Sequence, residues 1–312
     1  IIFNMRIQST NYFDNRNRKT YNGGNVNFRY LNMQNKKSVI YKANPVLKAF
    51  DNYYRRSVLT SKYTWLPVNQ KIKPFLEEIN IKNKNNCNVL LWDINKDNRQ
   101  KYVIVLHGTS HNISKLQSLY SKILENTDFG ILALEYQGYE KSSASSVSKK
   151  PKEFVQDTEA AFKYLKNKGI NDKDIQILGH SFGSFIASKF ASKHPDLGGI
   201  ILVAPTNMEK YILNEMQNKH INIPKSIKFL VKYGFLTKLC LHSIFNTNKT
   251  IEQVKTPTNI IYSKNDNLIQ PEELNDLSQH HNKLEHCIRL DYGKHGMDEN
   301  KINAVVSILQ QK

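Results

Sequence analysis

Gly179-His180-Ser181-Phe182-Gly183 constrains this chain more than any other stretch. It follows the apolar run Ile175 to Leu178 and precedes a helical pattern over Ser184 to Lys193. A serine hydroxyl is a poor nucleophile near neutral pH. It becomes useful when it is exposed, held at a sharp turn and paired with a base. Strand, G-x-S-x-G, helix is the context that presents a serine in this way. The two glycines leave room for the turn, since a Cβ at either would crowd the neighbouring strand and helix.

Upstream, Lys101 to Leu106 reads as a buried strand that runs into His107-Gly108-Thr109-Ser110. The backbone N–H groups of Thr109, in that loop, and of Phe182, after the serine, are the donors expected at a developing oxyanion. Downstream, Thr258 to Tyr262 reads as a strand that ends in the loop Ser263 to Pro271, which holds Asp266. Cys287 to Leu290 reads as a further strand, followed by Asp291 to Met297, which holds His295. The order is Ser181, Asp266, His295, each just past the C-terminal end of a strand. That placement brings three distant residues to one edge of a parallel sheet. Asp291 is the rival acid, four residues before His295. Asp266 is preferred, because its own loop approaches the imidazole from the far side.

With these residues in place, the chain resembles the α/β-hydrolases, in the broad group that includes bacterial esterases, monoacylglycerol-lipase-like enzymes and serine-aminopeptidase-like hydrolases. The resemblance runs from about Glu77 to the C-terminus. His107-Gly108 resembles the family's oxyanion loop and Gly179 to Gly183 its elbow. Asp266-Asn267-Leu268-Ile269-Gln270-Pro271 resembles the acid loop, and Gly293-Lys294-His295-Gly296 the histidine loop. Glu135 to Ser142 resembles the segment D-x-R-G-x-G-x-S with departures: Glu135 stands for Asp, Gln137 for Arg and Glu140 for Gly. The resemblance implies an eight-stranded, mostly parallel sheet with helices on both faces and a helical lid. It implies acyl transfer to Ser181, with His295 as base and Asp266 as its orienting acid. It calls for no metal or organic cofactor.

Alternation of elements agrees with a largely parallel sheet covered on both faces. Glu77–Lys82 and Asn88–Asp93 read as a hairpin that opens the sheet. Strands are expected at about 102–106, 130–135, 175–178, 199–203, 258–262 and 286–290. Helices are expected at about 114–124, 151–166, 184–193, 271–279 and 299–310. A short helix is expected between Pro45 and Ser61. The domain is therefore drawn over 71–312, behind a basic, partly disordered extension over 1–70.

One segment, at about 206–256, breaks the alternation. It holds a dense apolar set among lysines, including Phe229, Leu236 and Leu239. This is the position of the family's lid. Two readings stand: a wall for an acyl chain, or a helical pair whose apolar face packs on the core. Under the first, Phe229, Leu236 and Leu239 bind substrate, and the substrate is an ester of medium or long acyl chain.

The net charge of +18 is unevenly placed. Residues 1–84 hold 16 Lys and Arg against 4 Asp and Glu, while the remainder holds 29 against 23. Such an arm is a solvated tail or a contact to an anionic membrane surface. No zinc-finger, RNA-binding or helix-turn-helix pattern accompanies it, so no nucleic acid is expected.

Three cysteines, Cys87, Cys240 and Cys287, stand far apart with no C-x-x-C, which suits reduced thiols in a cytoplasmic protein. Cys87 and Cys287 are read as falling in strands, so core packing is their expected role. Ile1 to Asn4 is too short for the apolar stretch of a secretory leader. Met5 is the first methionine, so a leader removed ahead of Ile1 stays open. Among the ten histidines, His180 is expected to pack or hydrogen-bond and His107 to hold loop backbone. His107 and His111 are four apart but fall in a loop, without the helix or cysteines of a metal site.

The function expected is a serine hydrolase acting on a small-molecule ester or other acyl substrate. The alternatives are a thioesterase, acyltransferase or peptidase of the same fold, or a non-catalytic binding module built on it.

Overall fold

Apolar runs bounded by polar turns form the strands. The computed structural model describes residues 64–142, 151–206, 250–266, 268 and 283–312. The expected helices at 45–61 and 271–279, the extension up to residue 63, Cys240 and most of the expected lid lie outside these residues. Phe229, Leu236 and Leu239 lie outside them too.

Eight strands are described: β1 (Leu76–Lys82), β2 (Asn88–Ile94), β3 (Lys101–Leu106), β4 (Phe129–Glu135), β5 (Ile175–His180), β6 (Gly199–Val203), β7 (Thr258–Ser263) and β8 (Leu284–Leu290). They form one sheet in the order β1-β2-β4-β3-β5-β6-β7-β8. β2 runs antiparallel to both β1 and β4, and the strands from β4 across to β8 pair in parallel. The central strands β4, β5 and β6 are buried at every residue, as strands covered on both faces must be. The opening hairpin turns through Asn83, whose Oδ1 accepts from the N–H groups of Asn85 and Cys87.

The longer described helices are α1 (Gln117–Asn126), α2 (Pro151–Asn167), α3 (Phe182–Ala191) and α4 (Glu299–Leu309). α1 packs against α4, and α2 against α3. Leu119, Tyr120 and Ile123 of α1 join Val305, Ile308 and Leu309 of α4 in one core cluster with Val103, Val105, Ile131 and Ile201 of the sheet. Burying each such side chain stabilises the fold by about 1.5–3 kcal/mol. The chain just before the sheet docks on this side as well. Trp65 meets Trp92 edge-on at 5.5 Å, and Leu66 N–H donates to Ser114 Oγ at 2.8 Å. Among the described residues, no helix is long and apolar enough to cross a membrane.

Two expectations are corrected. Cys287 is exposed rather than in the core, because β8 is an edge strand whose residues 285–287 all face solvent. Cys87 is buried, but it closes the hairpin turn ahead of β2 instead of lying in a strand.

The topology places the site. From β3 the chain crosses to β4 on one side, and β5 returns on the other side of β3. Loops leaving β3 and β5 therefore diverge, and a crevice opens at their C-terminal ends.

Candidate active site

β5 ends at His180, and α3 begins at Phe182. Ser181 alone makes the turn, with φ 53° and ψ −117°, a conformation that a residue with a Cβ adopts only under strain. The turn is closed by Ser181 N–H donating to Val203 O and Ser184 N–H to Ser181 O, at 2.8 and 2.9 Å. Tight packing explains the glycines. A Cβ at Gly183 would overlap the carbonyl oxygen of Leu106, and one at Gly179 that of Gly183.

The loops after β7 and β8 supply the other two residues. His295 Nε2 lies 2.8 Å from Ser181 Oγ. His295 Nδ1 lies 2.9 Å from Asp266 Oδ2 and 3.2 Å from Oδ1. A carboxylate only accepts, so Nδ1 carries the hydrogen and Nε2 faces the hydroxyl with a lone pair. Asp266 is buried and also accepts from Leu268 N–H at 2.8 Å. Asp291, the rival acid, is exposed.

The loop after β3 closes the site from the other side. A Cβ built on Gly108 would lie 3.3 Å from Ser181 Cβ, so loop and turn are in contact. Thr109 is buried in this loop. Phe182 is the first residue of α3, where an N–H has no partner within the helix. Three successive carbonyls of the loop are held. Tyr136 Oη donates to His107 O and Tyr139 Oη to Thr109 O, both at 3.1 Å, and His107 Nδ1 donates to Gly108 O at 2.8 Å.

Imidazoles crowd the site. His180 lies between His111, stacked on it at 5.6 Å, and His295, at 5.7 Å. Burial, with His295 and His111 adding to it, holds the pKa of His180 well below the usual histidine value. His111 is pushed down to about 4, first by burial and then by His107 and His295. Both rings are thus neutral near pH 7. His180 Nε2 donates to the backbone oxygen of His295 at 3.0 Å, tying the turn to the histidine loop.

A family model described as "Serine aminopeptidase, S33" matches residues 97–229. The "Putative alpha/beta hydrolase L404" of Acanthamoeba polyphaga mimivirus is 28% identical over 171 residues, which make up 54% of this chain and 57% of that protein. The chain has the α/β-hydrolase fold, and its sequence is similar to members of that superfamily. Among solved structures, the chain is similar to the Pyrococcus furiosus esterase PF2001. That likeness has a TM-score of 0.65 and 16% identity, and covers 82% of this chain and 97% of the esterase. The thioesterase domain from the curacin biosynthetic pathway is also similar, with a TM-score of 0.53 and 14% identity over 75% of this chain and 99% of that domain. The chain spans little more than half the length of the mimivirus protein.

Four residues of the candidate site escaped the sequence reading. Thr206 follows β6, and its Oγ1 lies 3.3 Å from Ser181 Oγ. Lys301 is fully buried in α4 and bonds the histidine loop. Neither lies in a motif. Tyr136 and Tyr139 do, and their spacing of three just past β4 was the available signal.

Proposed function

We propose that this α/β-hydrolase is a serine hydrolase that cleaves a carboxylic ester through an acyl-enzyme on Ser181. The observation that carries the reading is the unbroken path from Asp266 Oδ2 through both nitrogens of His295 to Ser181 Oγ, with steps of 2.9 and 2.8 Å.

In this mechanism Ser181 Oγ attacks the acyl carbon while His295 Nε2 takes the hydroxyl proton. Asp266 holds the Nδ1–H tautomer and stabilises the positive charge that forms on the ring. The N–H groups of Thr109 and Phe182 bind the oxyanion, where fixed donors act without reorganising. His295 then protonates the leaving oxygen. Water, deprotonated by the same imidazole, releases the acid and restores Ser181.

The same steps serve a thioester. The segment at about 206–256 is proposed as the wall of the acyl pocket, with Phe229, Leu236 and Leu239 against the chain. The basic arm is proposed to touch anionic membrane surfaces, and the reduced-thiol pattern of the cysteines supports a cytoplasmic setting.

Ser181→Ala tests the central claim. The variant is expected to lose turnover of p-nitrophenyl acetate and labelling by a fluorophosphonate. A variant that kept either at the wild-type level would end the proposal.

A further inference from the structure

Of the three held carbonyls in the loop after β3, the middle one sets the direction of a proposed oxyanion donor. Gly108 O accepts from His107 Nδ1 at 2.8 Å and from His111 N–H at 3.2 Å. In a trans peptide the C=O and the following N–H point opposite ways. Holding Gly108 O therefore holds the Thr109 N–H. A carbonyl only accepts, so His107 Nδ1 carries a hydrogen.

The other ring nitrogen has an unusual neighbour. His107 Nε2 lies 3.5 Å from Glu135 Oε1, and both side chains are fully buried. Neither atom has a hydrogen-bond partner among the described residues. Two lone pairs facing each other away from water repel, and an isolated buried carboxylate is costly. One proton shared by the pair removes both penalties. Glu135 Oε2 accepts from Ile113 N–H at 2.9 Å, which fixes the carboxylate to the chain just beyond the loop. Tyr136 and Tyr139 flank the imidazole, with ring centroids 4.4 and 5.1 Å away. The ring cannot flip without abandoning Gly108 O.

We infer that His107 and Glu135 are a positioning pair, sharing one proton, that aims the Thr109 N–H at the oxyanion. The inference rests on the reading of Ser181 as nucleophile. It also accounts for a glutamate at position 135, since the pair must reach from the end of β4 to the loop after β3.

The test uses the full chain, p-nitrophenyl acetate as substrate and phenylboronic acid as a tetrahedral mimic on the serine. His107→Phe keeps a ring between the tyrosines but loses the donor. His107→Asn keeps an amide N–H near the position of Nδ1. In His107→Phe, kcat is expected to fall roughly 10- to 100-fold and the Ki for phenylboronic acid to rise in step, with KM within about threefold. His107→Asn is expected to recover most of the loss. A folded His107→Phe with kcat and Ki within about twofold of wild type would overturn the inference. So would an Asn variant as impaired as the Phe variant. If His107→Phe shows no cooperative melting, His107→Phe/Glu135→Gln, which leaves no unpaired buried charge, is read by the same criteria. Failure of the underlying reading looks different, because the wild type itself would then neither turn over the ester nor take a fluorophosphonate.

Discussion

The buried ammonium of Lys301 donates to the backbone carbonyl of Lys294, the residue next to His295. The same ammonium bonds Asp298 Oδ2, and Asp298 Oδ1 caps α4 by accepting from Lys301 N–H at 3.1 Å. A cation inside the protein is costly unless it is paired and hydrogen-bonded, and here both partners belong to the segment that carries the imidazole. Removing it should loosen that segment. Lys301→Met is expected to lower kcat for p-nitrophenyl acetate roughly 10- to 100-fold, as small misplacements of reacting groups do. Fluorophosphonate labelling should slow in parallel, because it needs the same base. Steady-state kinetics and labelling rates check this, and unchanged labelling would show that the ammonium serves stability alone.

The two carboxylates near His295 separate cleanly. Asp266→Asn is expected to cost about 10⁴-fold in kcat, since the amide no longer fixes the tautomer. Asp291 is exposed and offers its backbone oxygen to Asn265 Nδ2. Asp291→Asn should stay within about threefold of wild type, as surface changes away from the reacting groups usually do. The two kcat values, measured side by side, decide between them.

Thr206 touches the proposed nucleophile. Its hydroxyl lies 3.3 Å from Ser181 Oγ and, in the other direction, 3.3 Å from Ala204 O. Ala204 has φ 46°, and this left-handed bend after β6 turns the chain toward Ser181. Thr206→Val keeps the shape and removes the hydroxyl. Loss of one neutral hydrogen bond predicts a fall of about 2- to 10-fold in kcat/KM, with Thr206→Ser retaining activity. Equal kinetics for Val and Ser would leave the hydroxyl no part in the reaction.

Asp157 of α2 predicts a pH effect on stability. Burial pushes its carboxyl up to about 7, against hydrogen bonds from Asn83 Nδ2, the Gln137 N–H and Gln137 Nε2 that pull it down. Between the ordinary value of 3.8 and about 7, the folded protein keeps a proton there that the unfolded chain has lost. The group's contribution is therefore fully present below about pH 4 and is lost as pH rises through 7. Asp157→Asn cannot ionise. Its stability relative to wild type should rise by on the order of 2–4 kcal/mol from pH 4 to pH 8. Thermal melts of both proteins across that range measure the difference, and a constant gap would contradict the prediction.

Much of the site was legible because Ser181, Asp266 and His295 each follow an apolar run directly, so local pattern alone carries them to one edge of the sheet. The rest depended on contacts between segments far apart in the chain. Lys301 looks like any surface lysine of an amphipathic helix until α4 is seen to pack beneath the histidine loop. Glu135 and Gln137 were visible as departures from a familiar segment, but their partners, His107 and Asp157, come from other elements. Cys287 was misplaced because strand composition does not reveal which strand ends the sheet. α3 begins at Phe182 rather than Ser184, since the apolar ring of Phe182 packs on Phe154 at 5.3 Å and continues the buried face.

The order of these residues along the chain matters while the protein is being made. Ser181 is translated 114 residues before His295. A chain that ends in between has the proposed nucleophile and lacks the proposed base. Such a fragment also lacks α4, whose lysine bonds the loop that carries His295. Under the proposed mechanism, acyl transfer to Ser181 is thereby withheld from chains that end before His295.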